Sequence, residues 1–330
     1  MTYERTLPMT NSQLSARTGT GCSTPAPLPQ TAGASPLPLP AQAVDDLVSA
    51  ALAEDAPWGD LTSHALIPEE TAATAFLTAR EEGIFCGEQV IEAAFRLAGP
   101  GTAVIQLVRD GERFDAGGIL AEITGPARTV LTAERVALNL AQRLSGIATL
   151  TARFVAETKG TRARIADTRK TTPGLRALER YAVRCGGGFN HRYSLSDAVM
   201  AKDNHLAVLA AAGLDLATAL RQAKGRLSHT VHFEVEVDSL DQIEPVLAGG
   251  ADTVLLDNFS VEDLRRGVEA VNGRALTEAS GNVRLDTVAA IAATGVDIIS
   301  AGALTHSVRA LDLGLDIRAS LSSQQGATRE

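Results

Sequence analysis

Residues 235–258 read VEVDSLDQIEPVLAGGADTVLLDN, and this stretch decides the fold class. The runs VEVDS and VLLDN are rich in β-forming residues, and a helix-like segment separates them. The runs LTEAS and IISAG repeat the pattern downstream. The matching polar residues of the four runs lie 21, 21 and 22 residues apart: Glu236, Asp257, Glu278 and Ser300. Repeats this short predict a parallel sheet or a barrel, with an open doubly wound sheet as the alternative.

In a barrel, the polar residues at the carboxyl ends of the strands surround the mouth where barrel enzymes place their active sites. Carboxylates that converge at such a mouth repel one another unless a cation joins them. Glu236, Asp257 and Glu278 therefore indicate a site for Mg²⁺, which binds one or two carboxylates together with substrate phosphate oxygens. Pairing of these carboxylates with nearby Arg and Lys is the alternative, and it is compatible with the metal site.

Glycine and hydroxyl residues follow the last two of these strands. In βα barrels, the backbone N–H groups of such loops and a helix N-terminus form a recurring phosphate site. The sequence therefore predicts a phosphate-binding cradle at residues 280–282 and 300–303, with His306 just beyond it.

Residues 162–192 carry a charge opposite in sign to that of the whole chain. They contain eight Arg or Lys and two acidic residues, a local charge of +6 in a protein of net charge −9. A chain with a pI near 5.3 lacks the broadly basic surface of a general nucleic-acid binder. The segment therefore predicts a local anion site. Its candidate ligands are Arg169, Lys170, His191 and Arg192, with Lys202 after the next apolar run.

Within this segment, PGLRALERYAVR predicts a helix that begins at Pro173, where the missing N–H costs little. Arg176, Arg180 and Arg184 recur every four residues, so they share one face of that helix. A solvated helix face is the alternative interpretation for these three residues. Cys185 precedes three glycines without an evident catalytic base, and we assign it a structural role.

Composition excludes several classes of protein. The 330 residues are 45% hydrophobic, which is enough for one large or two medium domains with buried cores. Three cysteines without metal-type spacing argue against a disulfide framework and fit a reducing cytoplasm. We find no secretory signal, and no uncharged apolar run approaches the roughly 20 residues that cross a bilayer. We therefore expect a cytoplasmic protein without membrane or nucleic-acid partners.

Composition and periodicity divide the chain into four parts. Residues 1–40 are rich in Pro, Ser, Thr and Gly and predict a disordered arm. Residues 41–145 combine helical segments with short β-like runs, which predicts a small α+β domain with a largely antiparallel sheet. Residues 146–306 predict the α/β barrel, and residues 307–330 could pack back on the first domain.

Several ordered segments resemble the quinolinate phosphoribosyltransferase family: DTRKTTPGLRALERYAVRCGGGFNHR, KDNH, EVEVDS, LLDNF, EASGN and SAGALTHSVRALDLGLD. EDAPWGDLTS and TAERVALNLAQRLSGIATLT extend the resemblance to roughly residues 41–318. Thr277 departs from the family, because an aliphatic residue is expected before EASGN. The resemblance implies an incomplete (β/α) barrel with an N-terminal α/β sandwich domain, in a homodimer that could assemble further.

The resemblance also implies an activity. A phosphoribosyl group would pass from phosphoribosyl pyrophosphate (PRPP) to quinolinate, giving nicotinate mononucleotide, pyrophosphate and CO₂ in NAD biosynthesis, with Mg²⁺ as cofactor. The alternatives are an enzyme like nicotinate phosphoribosyltransferase and a non-catalytic anion- or nucleotide-binding barrel. The surplus of arginine favours the dicarboxylate quinolinate, and carboxylates such as Glu236 and Asp257 count against a purely anion-binding module.

On the acceptor side, the resemblance implies a pocket of cations for the two quinolinate carboxylates. These cations would be Arg169, His191, Arg192 and the partner subunit's Arg135, which crosses the dimer interface. Thr168, in the same loop as Arg169, is implied as a further substrate contact.

On the donor side, the resemblance implies that Lys170 and Lys202 face pyrophosphate or the reacting region. Glu236 and Asp257 would bind the ribose hydroxyls and, through PRPP and water, the metal. The implied catalytic residues are these two lysines and two carboxylates. The 5′-phosphate would lie against Ser280, Gly281, Gly302 and His306.

Overall fold

Residues 36–321 are described by the computed structural model. The predicted disordered arm therefore lies outside the described residues except for residues 36–40, and residues 322–330 also lie outside them. Leu39 exchanges two hydrogen bonds of 2.9 Å with the side-chain amide of Gln89. The chain is thus held against the first domain from this point onward.

The first half of the described chain alternates helices with short strands. Its elements are α1 (Ala41–Asp55), α2 (Leu61–Leu66), β1 (Thr71–Ala79), β2 (Gly83–Ile84), α3 (Glu88–Ala98), β3 (Ala103–Gln106), β4 (Arg113–Phe114), β5 (Ile119–Pro126) and α4 (Ala127–Glu157). In β1, the sequence TAATAFLTA alternates buried and half-buried side chains. This is the period-two pattern of a strand with one face on a core.

The second half is a series of strands and helices. Its elements are β6 (Arg164–Ala166), α5 (Arg176–Cys185), β7 (Val199–Ala201), α6 (Asp203–Ala211), α7 (Leu216–Lys224), β8 (Phe233–Val237), a 3₁₀ turn (Leu240–Gln242), α8 (Ile243–Ala248), β9 (Thr253–Asp257), α9 (Val261–Val271), β10 (Leu276–Ser280), α10 (Val288–Ala292), β11 (Ile298–Ser300), α11 (Ala303–His306) and β12 (Leu313–Leu321). The four runs that decide the fold class thus form β8 to β11.

The N-terminal sheet is antiparallel, with the strand order β12-β1-β5-β3. Thr71 pairs with Leu321 and Ala79 with Leu313, so the last strand described lies along the first. Helix α4 continues from this sheet for 31 residues and passes through residue 145. The predicted boundary between the two domains therefore falls inside one continuous helix, and the division remains a prediction.

Helix α4 packs against both α3 and α5 and contacts strands of both sheets, among them β1 and β6, so it joins the two sheets. Two glycines, Gly146 within α4 and Gly186 after α5, allow neighbouring backbone segments to pack closely against this helix. A Cβ atom at Gly146 would lie 2.3 Å from the carbonyl oxygen of Arg309, and a Cβ atom at Gly186 would lie 2.3 Å from that of Ala148. Any side chain at either position would force the backbones apart.

The second sheet is parallel, with the strand order β6-β11-β10-β9-β8-β7. Strands β7 to β11 follow one another in space as in sequence, whereas a doubly wound sheet reverses its strand order at a switch point. The predicted incomplete barrel is therefore confirmed, and the open doubly wound alternative is wrong. The sheet does not close between β6 and β7, where Phe189 forms only a single bridge with Ala166.

The predicted start of α5 at Pro173 is wrong. The helix begins at Arg176, because Gly174 has a φ of +84° and so lies outside the helical region. Residues 172–175 form a turn instead, in which the Leu175 N–H donates to the Thr172 carbonyl at 3.0 Å.

Cys86 and Cys185, the two cysteines among the described residues, are buried free thiols. Burial raises the pKa of the Cys86 thiol well above its ordinary value, and a hydrogen bond with Cys185 adds to the effect. Within residues 36–321, no single helix is long and apolar enough to cross a membrane. Helices α6 and α7 meet that test only as a pair, by length and composition, and the pair is bent by 113°.

Candidate active site

The carboxyl ends of the parallel strands bring candidate residues from separate parts of the chain to one edge of the barrel. Ser280 at the end of β10 is in register with Asp257 at the end of β9. Ser300 at the end of β11 is in register with Ala166 of β6, and Lys202 directly follows β7. Active sites of βα barrels are built at this end of the strands.

Lys202 and Glu236 form an ion pair across the neighbouring strands β7 and β8. The lysine Nζ atom donates to Oε2 of the carboxylate. Glu236 is 9% exposed, whereas the lysine side chain is 44% exposed, so the cation covers the carboxylate at the mouth. Pairing with a nearby cation, the alternative interpretation of the carboxylates, therefore applies to Glu236.

Asp257 lies beside the turn that follows β10. Its Oδ2 atom accepts a 2.6 Å hydrogen bond from the Asn258 side-chain amide, and Asn258 Oδ1 accepts one of 3.0 Å from Asn282. Gly281 has a φ of +89°, and a Cβ atom there would lie 2.2 Å from Asn258 Oδ1. Glycine is thus required at this position by both its backbone conformation and the available space.

A cavity of about 720 Å³ opens beside these carboxylates. Its polar lining consists of acidic and amide side chains: Asp203, Asn204, Glu236, Asp238, Gln242, Asp257 and Asn258. Carboxylate and amide oxygens are ligands of Mg²⁺ and acceptors for sugar hydroxyls. The chemistry of this donor set therefore fits a hydrated Mg²⁺ together with a ribose.

The loop after β6 is held from two sides. The Lys170 N–H donates to Thr168 Oγ1 at 3.1 Å, and Thr305 Oγ1 donates to the Lys170 carbonyl at 2.7 Å. A Cβ atom at Gly302 would lie 3.0 Å from both the Lys170 side chain and the His306 ring. Lys170 thus meets Gly302 and His306 at α11, although it lies far from both in sequence.

Arg169 and Arg192 lie close enough to repel each other. Burial, and then the charge of Arg169, lowers the pKa of Arg192, and the carboxylates of Glu234 and Asp197 offset only part of this effect. Arg169 Nε is buried and lacks a hydrogen-bond partner among residues 36–321. Two half-buried guanidinium groups with so little opposing charge favour an anion, and the planar fork of each matches a carboxylate.

Asp167 fixes the segment that carries His191 and Arg192. This fully buried carboxylate accepts hydrogen bonds from the His191 N–H at 2.8 Å, Arg180 at 3.1 Å and the Asn190 side chain at 2.6 Å. Burial raises the pKa of Asp167, and the charge of Arg180 opposes that shift. Arg180 also donates to the carbonyl of His191 at 2.6 Å, so it holds the segment in place.

His191 contacts carboxylates from two strands, Glu234 of β8 and Glu278 of β10. Its Nε2 atom lies 3.0 Å from Glu234 Oε2 and 3.6 Å from Glu278 Oε2, and its Nδ1 atom accepts a 2.7 Å hydrogen bond from the Arg192 N–H. Burial lowers the pKa of His191, but the two carboxylates outweigh it and raise the pKa to about 10. Burial and Glu278 also raise the pKa of Glu234, to about 7.

The Arg192 N–H opposes a proton on Nδ1 of His191, because a protonated nitrogen cannot accept that hydrogen bond. The geometry therefore favours a neutral ring with its proton on Nε2 over the doubly protonated ring that a pKa of about 10 describes, and a further proton retained by the cluster lies on the carboxylates. In this arrangement, both nitrogens of His191 are bound to the protein.

The arginines of α5 hold the neighbouring loops, and the alternative of a solvated helix face is wrong. Arg176 donates from Nε to Thr171 Oγ1 at 3.1 Å, and Arg184 donates to the Gly188 carbonyl at 2.7 Å. Arg180 is buried against Asp167. These arginines therefore hold in place the loops that surround the site.

Arg135 is the candidate site residue that makes no contact with the other candidates in the described part of this chain. It lies on an exposed face of α4, and within residues 36–321 it makes no hydrogen bond or ion pair. Thr132, one turn earlier on the same helix, donates to Asp60 Oδ2 at 3.3 Å. Within one chain, the barrel candidates form several local groups of contacts, and Arg135 belongs to none of them.

Sequence reasoning missed Glu234 and wrongly placed Glu278 at a strand end. Glu278 is the third of the five residues of β10, and Ser280 ends that strand. A signal for Glu234 exists in FEVEV, where two glutamates two positions apart share one face of a strand. All five residues of that strand are buried, so an acidic pair within it indicates a polar barrel interior.

Two family models match the chain. The model described as the N-terminal domain of quinolinate phosphoribosyl transferase matches residues 60–145, and the model of its C-terminal domain matches residues 147–316. The chain belongs to the quinolinate phosphoribosyltransferase family. The resemblance seen in the sequence motifs is therefore confirmed.

Relatives in the quinolinate phosphoribosyltransferase family match over nearly their full length. The probable nicotinate-nucleotide pyrophosphorylase (carboxylating) of Bacillus subtilis is 43% identical over 270 residues, which cover 82% of this chain and 92% of that protein. The Mycobacterium leprae enzyme is 44% identical over 283 residues, which cover 83% of this chain and 97% of that protein. The solved nicotinate-nucleotide pyrophosphorylase of Francisella tularensis is 40% identical, with a TM-score of 0.79, and the match covers 85% of this chain and 98% of that one.

Proposed function

We propose that this chain transfers the phosphoribosyl group of PRPP to quinolinate with loss of CO₂, forming nicotinate mononucleotide and pyrophosphate for NAD biosynthesis. Membership of the family and the names of its relatives support this activity. The structural observation that supports it most directly is the pair Arg169 and Arg192, whose charge is only partly offset by Glu234 and Asp197 and so favours a ligand with carboxylates.

Quinolinate, in this proposal, lies beside the barrel mouth with its two carboxylates against Arg169 and Arg192. Thr168 contacts the substrate from the same loop as Arg169. His191 supports this pocket, and the partner subunit's Arg135 closes it in a homodimer. A dicarboxylate suits this many cations better than the single carboxylate of nicotinate.

The exposed apolar side chains near Arg135 support the shared site. Trp58, Leu61 and Leu66 are 92%, 80% and 73% exposed, and they surround or belong to α2, which is bonded to α4 through Asp60. An apolar patch of this kind is typical of a surface that another protein covers. In this proposal, a second copy covers the patch, and one chain's Arg135 reaches the other chain's pocket.

The donor PRPP lies across the carboxyl ends of β7 to β11 in this proposal. Its 5′-phosphate binds to the cradle of Ser280, Gly281, Gly302 and His306. Glu236 and Asp257 bind the ribose hydroxyls and, through PRPP and water, Mg²⁺. When bound, Mg²⁺ would neutralise charge on pyrophosphate.

The chemistry follows from the placement of charge. The quinolinate nitrogen bonds to C1′ as the bond from C1′ to the pyrophosphate oxygen breaks, and the electron pair leaves with pyrophosphate. Positive charge on the ribose develops near Glu236 and Asp257, and negative charge on the leaving group develops near Lys170 and Lys202. The pyridinium nitrogen then stabilises the electron pair left at C2 as CO₂ departs, and a proton taken up at C2 completes the product.

The cellular and domain assignments are part of the same proposal. Buried free thiols at Cys86 and Cys185 fit the reducing cytoplasm. We also propose a sandwich domain at residues 41–145 and a catalytic barrel at residues 146–306, as the sequence predicts.

The test is an assay with quinolinate labelled at its C2 carboxylate. Labelled CO₂ should appear only when PRPP and Mg²⁺ are both present. Turnover of nicotinate instead would assign the chain to the nicotinate-specific alternative. Ligand binding without turnover of either acid would support a non-catalytic binding module.

A further inference from the structure

His191 is bound by the protein at both of its ring nitrogens. Nε2 lies 3.0 Å from Glu234 and 3.6 Å from Glu278, and Nδ1 accepts from the Arg192 N–H at 2.7 Å. The imidazole therefore has no nitrogen left to donate to a substrate carboxylate. Its role in the site must come from what it positions.

Protein stability does not explain why Glu234 and Glu278 are buried, because each leaves part of its hydrogen-bonding capacity unused. They are 3% and 1% exposed, and the Oε1 atom of each lacks a hydrogen-bond partner among residues 36–321. A buried carboxylate with an unused oxygen costs free energy, and well-packed apolar residues often serve stability better. Two such groups around one imidazole point to a functional constraint.

The residues that line a second cavity show where Glu234 and Glu278 lie relative to the proposed substrate site. Glu234 and Glu278 line a cavity of about 370 Å³ together with Arg164, Thr253 and Leu276, which begin β6, β9 and β10. That cavity lies towards the amino-terminal ends of the strands, whereas Lys202 and Asp257 lie at their carboxyl ends. Glu234 lies two residues before Glu236 on β8, and Glu278 lies two residues before Ser280 on β10, so the two glutamates are set deeper in the barrel than the region proposed for PRPP.

Arg192 needs support of this kind. Its guanidinium is repelled by Arg169, and among residues 36–321 the charges of Glu234 and Asp197 oppose that repulsion. Its Nη1 atom donates to the Ala198 carbonyl at 3.0 Å, and the backbone around it is held by Asp167 and Arg180. Among residues 36–321, its N–H has no hydrogen-bond partner other than the His191 ring. Loss of the anchors on Nε2 would let the ring turn and release the Arg192 N–H.

We propose that Glu234 and Glu278 are positioning residues, which hold the His191 ring and, through Nδ1, keep Arg192 aimed at a quinolinate carboxylate. This inference rests on the proposed function. It deepens that function by assigning acceptor binding to two carboxylates that do not touch the substrate. A small misplacement of a substrate-binding group lowers catalytic efficiency steeply.

The experiment compares Glu234→Gln, Glu278→Gln and Glu234→Leu with the wild-type enzyme. We expect Glu234→Leu to raise the KM for quinolinate by about tenfold or more, with the KM for PRPP within about twofold of the wild-type value. Glu234→Gln should recover part of the loss, because its amide oxygen still accepts from Nε2. In ¹⁵N NMR of the ring nitrogens, the His191 signals should shift in all three variants.

The matched control is Thr277→Val on β10. Thr277 is buried, its hydroxyl donates to Asp297 at 2.8 Å, and its neighbour Glu278 points to the other face of the strand. This control should lower stability without changing the KM for quinolinate. Far-UV circular dichroism identifies any variant that fails to fold. If Glu234→Leu does not fold, the two Gln variants still test the proposal.

Two results would overturn the inference. Folded variants with an unchanged KM for quinolinate would show that the glutamates position nothing the acceptor needs. Equal rises in the KM for both substrates would assign the pair a general structural role. A wild-type enzyme that releases no CO₂ from quinolinate would instead refute the proposed function, and the inference that rests on it would fall with it.

Discussion

Arg143 of α4 binds the fully buried carboxylate of Glu179 on α5, with its Nε and Nη2 atoms 2.8 and 2.6 Å from Oε1. The same guanidinium donates to Thr172 Oγ1 at 2.8 Å and to the Thr305 carbonyl at 3.0 Å. Thr305 in turn donates to the Lys170 carbonyl. One ion pair thus ties two substrate-side loops to the helix that joins the sheets.

Replacing Arg143 with Ala should destabilise the protein strongly. Glu179 would remain buried without its cation, and breaking a buried pair from one side costs about 3 kcal/mol or more of unfolding free energy. Urea denaturation followed by circular dichroism measures the change. As a control, Arg274→Ala breaks an exposed pair with Glu244 and should leave the curve almost unchanged. Matching midpoints for the two variants would contradict the prediction.

Replacing Lys202 with Met should lower kcat by about 100-fold, because the site loses a cation that stabilises the leaving pyrophosphate. Single-turnover kinetics with saturating substrates measure this step. Lys224→Met is the matched control, since Lys224 pairs with Asp252 at the other end of the strands. The role assigned to Lys202 is wrong if both lysine variants retain the same kcat.

Replacing Arg169 with Ala should raise the KM for quinolinate by about tenfold or more, because a charged, half-buried contact to a carboxylate is lost. The KM for PRPP should change far less. Arg162→Ala removes the same charge from the same segment, where it pairs with Asp297 outside the proposed pocket. A larger rise for PRPP than for quinolinate would mean that the two ends of the pocket have been interchanged, and an equal rise would contradict a specific role in binding quinolinate.

Replacing Gly281 with Ala should raise the KM for PRPP by about tenfold, because the new Cβ displaces Asn258 and, through it, Asp257. Gly117→Ala is the matched control: Gly117 also has a positive φ, of +84°, but a Cβ atom there would meet nothing within 4 Å. Initial rates across a PRPP series measure the effect. Similar PRPP kinetics in both variants would show that the turn does not support the donor site.

Replacing Arg135 with Ala should abolish activity in the homodimer, since the proposed pocket is closed by the partner subunit. Mixing this variant with Lys202→Met should restore activity in the mixed dimers. Random pairing leaves about a quarter of the sites intact. Differently tagged chains, purified by both tags, allow the assay. Mixed dimers that remain inactive would refute the shared site.

The sequence correctly predicted those structural features that recur with the βα repeat. Glu236, Asp257 and Ser300 were correctly placed at strand ends, because each βα unit has nearly the same length. The helix start at Pro173 was wrong, because the positive φ of Gly174 depends on how the whole loop is held.

Partners of buried charges could not be read from the sequence. The spacing of Arg180 indicates a helix face, but it does not reveal that Asp167 lies beneath that face. Glu234 belongs to a strand that is buried on both faces, so its hydrophobic pattern does not show which side chains point into the barrel. The contact with His191 exists only once β8 and the chain after Phe189 are brought together.

The pairing of β12 with β1 also determines the order in which the molecule can be completed. On the ribosome, β1 emerges early, but Thr71 must wait for Leu321 before that edge of its sheet is filled. All strands of the barrel are synthesised in the interval, so the barrel can form before the domain that precedes it in sequence. A nascent chain stalled before residue 313 therefore exposes an unpaired strand edge, which is a template for aggregation.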